Sequence, residues 1–338
     1  MLIPTEFLGG AIVRMILHIL GEKEFRKRIS NYIESHKYSN AKQDDLWKCL
    51  GNVTIEQNQT SISKVMNPWT LQRGYPIVTV SRFNHSGAEL QNISLKQEMF
   101  VLDRSKEAKK NASSKWYIPI TYTTANGNFN DTEPKKWLMP TLNDTFIPKI
   151  PKDKALIVNV QHTGFYRVNY DAHNWKLIED AMKKPNFSGI HPMNRAQIMF
   201  DSTHLAEAGY LDYSVALNLS TYLANETEYM TWRSAIIALS AIPKILKFTN
   251  NTEYFSNYLV KQMRPVYDSL DFEPKENDSA STLLLRELAV NIICSSGDEE
   301  CVKMGKADIK NEIETILWNR IIYFYFYFSI KPLQYMDV

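Results

Sequence analysis

The sequence predicts a multi-domain α+β chain: a helical start, a small β-sandwich in the middle, and an α-solenoid behind it. Three features carry that expectation. Apolar residues recur at helical spacing through the first ~65 residues, at a period of two from residue 76, and at helical spacing again from residue 171. The 338 residues suffice for two or three domains of ~100–200 residues each. Hydrophobic residues at 44% and charged residues at 22% describe a globular chain and exclude a largely disordered one. The expected divisions are 1–75, 76–162 and 163–338.

Each element has its own signal. Ile12, Val13, Ile16, Leu17 and Leu20 form one helical stripe, and Phe25, Ile29, Tyr32 and Ile33 form a second. Asn40 with Gln43 reads as a capping-box start for a short helix carrying Leu46, Trp47 and Leu50. Strands are expected at 77–80, 99–102, 115–124, 137–139, 155–158 and 165–168. In the longest, Trp116, Ile118, Ile120 and Tyr122 share a face and Pro119 implies an edge or a bulge. Asn126-Gly127 signals a hairpin after it. Helices are expected over 174–184, 194–208, 212–224, 229–248, 253–270 and 280–294, with Gly209 stopping the second and Asp212 capping the third. Short loops between such helices imply antiparallel pairs stacked as an irregular solenoid. The apolar run Ile321–Ile330 reads as a tail.

Composition narrows the chemistry. With 39 Lys+Arg against 37 Asp+Glu, the net charge of +2 lacks the basic excess of a nucleic-acid binder. No run reaches the ~18 apolar residues of a membrane span, and the start lacks a basic n-region, so neither an anchor nor a signal peptide is expected. The histidines are His18, His36, His85, His162, His173, His191 and His204; no two stand four apart and none precedes Glu. A zincin helix needs both features, and Cys49, Cys294 and Cys301 offer no C-x-x-C pair. Phosphate loops, nucleophile elbows and dinucleotide glycine patterns are missing too. No catalytic or metal-ligating residue is therefore assigned.

Twelve N-x-Ser/Thr sequons, beginning at Asn52 and ending at Asn277, point instead to a secretory or cell-surface chain. Asn111, Asn130 and Asn143 lie in polar loop stretches and are the favoured glycan acceptors, whereas Asn218 sits inside a helical pattern. A secreted-type body without a leader leads to the expectation that an N-terminal portion is missing.

Several stretches, in order, resemble the gluzincin zinc aminopeptidases: aminopeptidase N, glutamyl aminopeptidase and the endoplasmic-reticulum aminopeptidases. They are Gly9-Gly-Ala-Ile-Val-Arg-Met15, His36-Lys-Tyr-Ser-Asn-Ala41 with Asp45-Leu-Trp47, and Met66-Asn-Pro-Trp-Thr-Leu-Gln-Arg-Gly-Tyr-Pro76. Thr163-Gly-Phe-Tyr-Arg-Val-Asn-Tyr-Asp171, Asn194-Arg-Ala-Gln197 and Cys294-Ser-Ser-Gly-Asp-Glu-Glu-Cys301 follow. The resemblance covers about 9–304 and implies the helical end of a thermolysin-like domain, a β-sandwich, and part of an ERAP-like helical C-terminal domain.

It implies peptides as the substrate class, zinc as the cofactor of full-length members, and homodimers among membrane members. The family's His-Glu-x-x-His and Gly-x-Met-Glu-Asn segments would lie upstream of Gly9, and its transition-state tyrosine falls at Glu6. This chain is accordingly expected to bind no zinc, to be inactive by itself and to be truncated. The alternative is a non-catalytic peptide- or protein-binding helical scaffold. The resemblance also implies a Cys294–Cys301 disulfide, which a separation of seven residues permits, with Cys49 free. Residues 9–50, lacking the family's packing partners, are expected to stand bare and to be cleaved first by proteases, before Trp69.

Overall fold

The computed structural model describes residues 5–83, 89–103, 113–141, 145–249 and 251–316. It is a mixed α+β chain in two compact units, Met1–Ile245 and Leu246–Val338. All three segments expected as domains begin inside the first unit.

That unit opens with α1 (Thr5–Leu20), α2 (Glu22–Ser35) and α3 (Gln43–Leu50). Gly21 joins the first two at φ 76°, where an L side chain would be strained. The expectation of a bare first stripe is corrected. Ile12, Met15 and Ile16 are 4%, 1% and 1% exposed, and Met15 and Ile19 line a cleft shared with Pro119, Thr121, Thr163 and Gly164. The chain's own later strands and turns supply the partner. The second stripe behaves differently: α2 has no buried residue and Ile33 is exposed. Asn40 is not the cap of α3 either. The helix starts at Gln43, and the Asp45 carboxylate accepts from the Lys42 backbone N–H at 2.9 Å.

The hairpin of β1 (Asn52–Ile55) and β2 (Asn58–Ser61) was not foreseen from periodicity. Its two-residue turn holds Glu56 and Gln57 at φ 45° and 74°, a geometry usually filled by Asn-Gly. The Glu56 carboxylate is tied down by Lys136. Ser61 then caps α4 (Ile62–Leu71), its hydroxyl accepting from the Lys64 N–H.

A four-stranded sheet follows, built from β3 (Pro76–Phe83), β4 (Leu90–Met99), β8 (Thr145–Pro151) and β10 (Arg167–Tyr170). Its order is β10-β3-β4-β8, with β10 parallel to β3 and the other pairs antiparallel. Between Ile147 and Ile150 the β4–β8 register slips, because Pro148 has no N–H for the ladder. Two short ladders complete the strands: β5 (Ile118–Ile120) with β7 (Lys136–Leu138), and β6 (Tyr122–Thr124) with β9 (Leu156–Val158).

Three strand expectations are corrected here. The strand near 99–102 lies earlier, at 90–99; Phe100 follows it, its N–H donating to the Tyr75 carbonyl and its ring stacked on Tyr75 with centroids 5.4 Å apart. The long strand 115–124 splits at Thr121 into β5 and β6, which join different ladders. Asn126-Gly127 does turn the chain, but β6 pairs with β9 and no hairpin forms.

The remaining helices of the first unit are α5 (Ala172–Met182), α6 (Pro192–Glu207), α7 (Tyr213–Ser220), α8 (Tyr229–Leu239) and α9 (Ala241–Leu246). Asp171 and Asp212 cap α5 and α7 through the N–H groups of Asn174 and Ser214. The helix expected over 212–224 gives way to a 3₁₀ turn at Thr221, and the one over 229–248 breaks at Ser240, just ahead of Pro243. Burial on α6 runs around its whole circumference, so it is a central helix, and α7 and α8 pack against it.

In the second unit α10 (Thr252–Leu270), α11 (Ala280–Ser295) and α12 (Glu299–Ile316) pack in chain order. Arg286 of α11 pairs with Asp278 and donates to the carbonyls of Leu270 and Asp271 where α10 ends. A disulfide joins Cys294 to Cys301 with the Cα atoms 5.1 Å apart, and Cys49 is a free, half-buried thiol. The run 321–330, Asn111 and Asn143 lie outside the described residues.

Candidate functional site: a buried polar hub

Where α1, β10 and α6 meet, the first unit buries an unusual number of polar groups. Asn159, Asn194 and Ser202 are 0% exposed, and Asp201 and Gln197 only 2% and 3%. Buried polar groups persist only when paired: Ser202 donates to the Met199 carbonyl, and the others bond within one network. The Asp201 carboxylate accepts from the Val168 N–H at 3.0 Å, from Arg167 Nη1 at 3.1 Å and from Gln197 Nε2 at 3.3 Å. Asn194 donates to Gln197 Oε1 and to the Asn159 carbonyl, each at 3.0 Å, and accepts from the Gln161 N–H at 2.7 Å.

Asn159 brackets Gly164, accepting from its N–H at 2.8 Å and donating to its carbonyl at 2.9 Å. A Cβ on Gly164 would collide with the Tyr166 ring, so glycine is needed there. Arg167 Nε donates to the Tyr75 hydroxyl at 3.0 Å, and its guanidinium lies 4.9 Å from the Phe100 ring and 5.0 Å from the Phe200 ring.

A second knot sits at the first turn of α6. Arg195 makes a bidentate pair with Glu226 at 2.6 and 2.9 Å and donates a third bond to the Ile190 carbonyl at 2.7 Å. The same carboxylate accepts from the N–H groups of Thr227 and Glu228. Arg195 lies in the Asn194–Gln197 stretch, but nothing local marks Glu226 as its partner 31 positions away.

Five of the described histidines have a hydrogen-bond partner for the ring. His18 bonds the Thr132 hydroxyl, His36 the Tyr32 carbonyl, His173 the Lys152 carbonyl, and His204 the Phe200 carbonyl. His191 caps α6 by accepting from the Met193 N–H. His162 is desolvated beside Arg14 and Arg167, which lowers it to about 4; burial and Arg167 bring His204 to about 4 as well. Burial acts oppositely on Asp201, raising it to about 6 against the pull of Arg167. Among the described residues no three His, Cys, Asp or Glu side chains gather as a metal site. The donor set that a catalytic zinc requires does not fit these residues.

A pH dependence follows, with a definite sign. A histidine neutral in the fold but protonated when unfolded removes stability as pH falls from about 6.5 towards 4. Asp201 takes up its proton in the fold below about 6 and offsets part of this. The thermal midpoint should therefore drop between pH 7.5 and 5.0, and less so in a His204→Gln variant. An equal drop in both proteins would contradict the assignment.

Among the described residues no helix is long and apolar enough to cross a membrane. Asn130 is exposed. Of the other described sequon asparagines, Asn92 is half-buried and the rest are exposed, whereas the buried Asn159, Asn174 and Asn194 head no sequon.

Two family patterns match the sequence: the peptidase family M1 domain over residues 7–69, and the ERAP1-like C-terminal domain over 155–315. Aminopeptidase N of Plutella xylostella is 33% identical over 91% of this chain and 33% of that protein. Human thyrotropin-releasing hormone-degrading ectoenzyme is 31% identical over 91% of this chain and 29% of that protein. Glutamyl aminopeptidase of Rattus norvegicus is 33% identical over 87% of this chain and 30% of that protein. The chain thus spans about a third of the length of these relatives. Arg14, in the first matched segment, donates to the carbonyls of Gln161 and His162 beside the hub, whose Asn159, Asn194 and Asp201 belong to the second.

Proposed function

Since the chain belongs to the M1 aminopeptidase family, corresponding to its C-terminal portion, we propose that it supplies the supporting body of a peptide-trimming protein. Members of the family remove N-terminal residues from peptides. In this reading residues 1–75 are the helical end of the thermolysin-like domain, 76–162 a β-sandwich, and 163–338 part of the helical domain that roofs a peptide cavity. The observation that supports the reading is the Arg14 guanidinium of the first family segment, which donates to the carbonyls of Gln161 and His162 at the start of the second, beside the buried polar hub.

In this proposal the chain by itself performs no zinc-dependent cleavage: no two of its histidines stand four apart, and His18, His191 and His204 are engaged in bonds within the fold. It acts in the secretory pathway or at the cell surface as a glycoprotein. The exposure of the described sequon asparagines other than Asn92 supports that, and Asn130 is a favoured acceptor together with Asn111 and Asn143.

The test uses the full chain secreted from cultured cells. Aminoacyl-coupled fluorophores should remain intact with and without a chelator, and glycosidase treatment should raise gel mobility. Chelator-sensitive release would overturn the inactive reading; unchanged mobility would overturn the secretory one.

A further inference from the structure

The turn that closes the hub has an unusual backbone. Asn159, Gln161 and His162 all lie in the left-handed region, at φ 66°, 52° and 53°, and none is glycine. Such a run persists only where the surroundings over-determine it. On one side α6 holds it, through Asn194 on the Gln161 N–H and the Asn159 carbonyl. The Thr121 hydroxyl accepts from the Val160 N–H at 2.8 Å. On the other side the only side-chain donors to the carbonyls of Gln161 and His162, among the bonds the described residues show, come from one residue of α1. Arg14 Nη1 donates to the His162 carbonyl at 2.7 Å and Nη2 to the Gln161 carbonyl at 3.1 Å.

We propose that Arg14 is a positioning residue: its guanidinium fork clamps α1 to the left-handed turn 159–162 and so couples the seating of α1 to the first turn of α6. The inference does not depend on the proposed function. A planar fork suits two adjacent carbonyls, and a lysine ammonium, as a point charge, does not reproduce that geometry. The left-handed residues place both acceptors within reach of α1, and the same residues expose the Gln161 N–H to Asn194 on the opposite side. Withdrawing α1 removes one face of the support, and the strain then falls on the bonds to α6. The buried Ile12, Met15 and Ile16 seat α1, whereas the two bonds to the turn carbonyls come from Arg14.

Hydrogen exchange followed by mass spectrometry on the full chain tests this, comparing the parent with Arg14→Ala and Arg14→Lys. In the alanine variant, exchange should rise about tenfold, the factor one net hydrogen bond supplies, in peptides covering 5–20, 159–166 and the start of α6. Peptides of α10 in the second unit should be unchanged. The lysine variant should fall between parent and alanine, or match alanine. Unchanged exchange over 159–166 in the alanine variant would overturn the proposal. So would a uniform rise across the chain, or a lysine variant indistinguishable from the parent. Should the alanine variant fail to fold, the lysine variant carries the test, with the same segments expected to loosen.

Discussion

Replacing Glu226 by alanine should destabilise the first unit by about 3–5 kcal/mol, because it strands a buried guanidinium. Arg195 is 6% exposed and Glu226 fully buried, so water cannot take the carboxylate's place. The truncated variant leaves Arg195 with the Ile190 carbonyl and the Phe187 ring 4.2 Å away, and also removes the acceptor for the N–H groups of Thr227 and Glu228. In a body of this size the expected fall in thermal midpoint is on the order of 10 °C. The double variant Arg195→Met, Glu226→Leu should recover much of the loss, because it removes both charges rather than one. Scanning calorimetry would decide; a midpoint within about a degree of the parent for Glu226→Ala would contradict the energetic reading.

Asp201→Ala is expected to be similarly costly, about 3–5 kcal/mol, but for a composite reason. It frees Arg167 from its only carboxylate among the described ion pairs and leaves the Val168 N–H without its acceptor. The aromatic faces of Tyr75, Phe100 and Phe200 soften the first loss and do nothing for the second. Asp201→Asn keeps a carbonyl oxygen where the Val168 N–H can find it, so it should recover at least ~1 kcal/mol over alanine. Urea unfolding of the three proteins separates the contributions. Equal midpoints for alanine and asparagine would mean that charge alone matters at this position.

Much of the fold was legible because it depends on local period. The α-then-β-then-α order follows from spacing, and the boundaries of α5, α6, α10 and α11 fall within two residues of the expected ones. The failures share a cause, which is information held elsewhere in the chain. Nothing in Lys115–Thr124 announces that Thr121 hands the strand from one partner to another, since the partners β7 and β9 lie downstream. Glu56-Gln57 hides a tight turn because neither residue favours positive φ, and the ion pair with Lys136 is remote in sequence. The hub was half visible: Asn194, Gln197 and Asp201 recur at helical spacing on a buried face, a polar stripe that signals a satisfied network. Arg167 stands in the Thr163–Asp171 stretch and Arg14 in Gly9–Met15, but nothing local marks Asn159 or the groups that the two arginines reach.

The joining of the two family segments into one cooperative unit is tested most directly by native-state hydrogen exchange of the parent chain at increasing urea. Amides in α1, β10 and α6 should converge on a single opening free energy and open together. If α1 instead exchanges through a separate, urea-independent opening while β10 and α6 stay protected, the hub does not weld these segments, and the first helices are an independent, weakly held element.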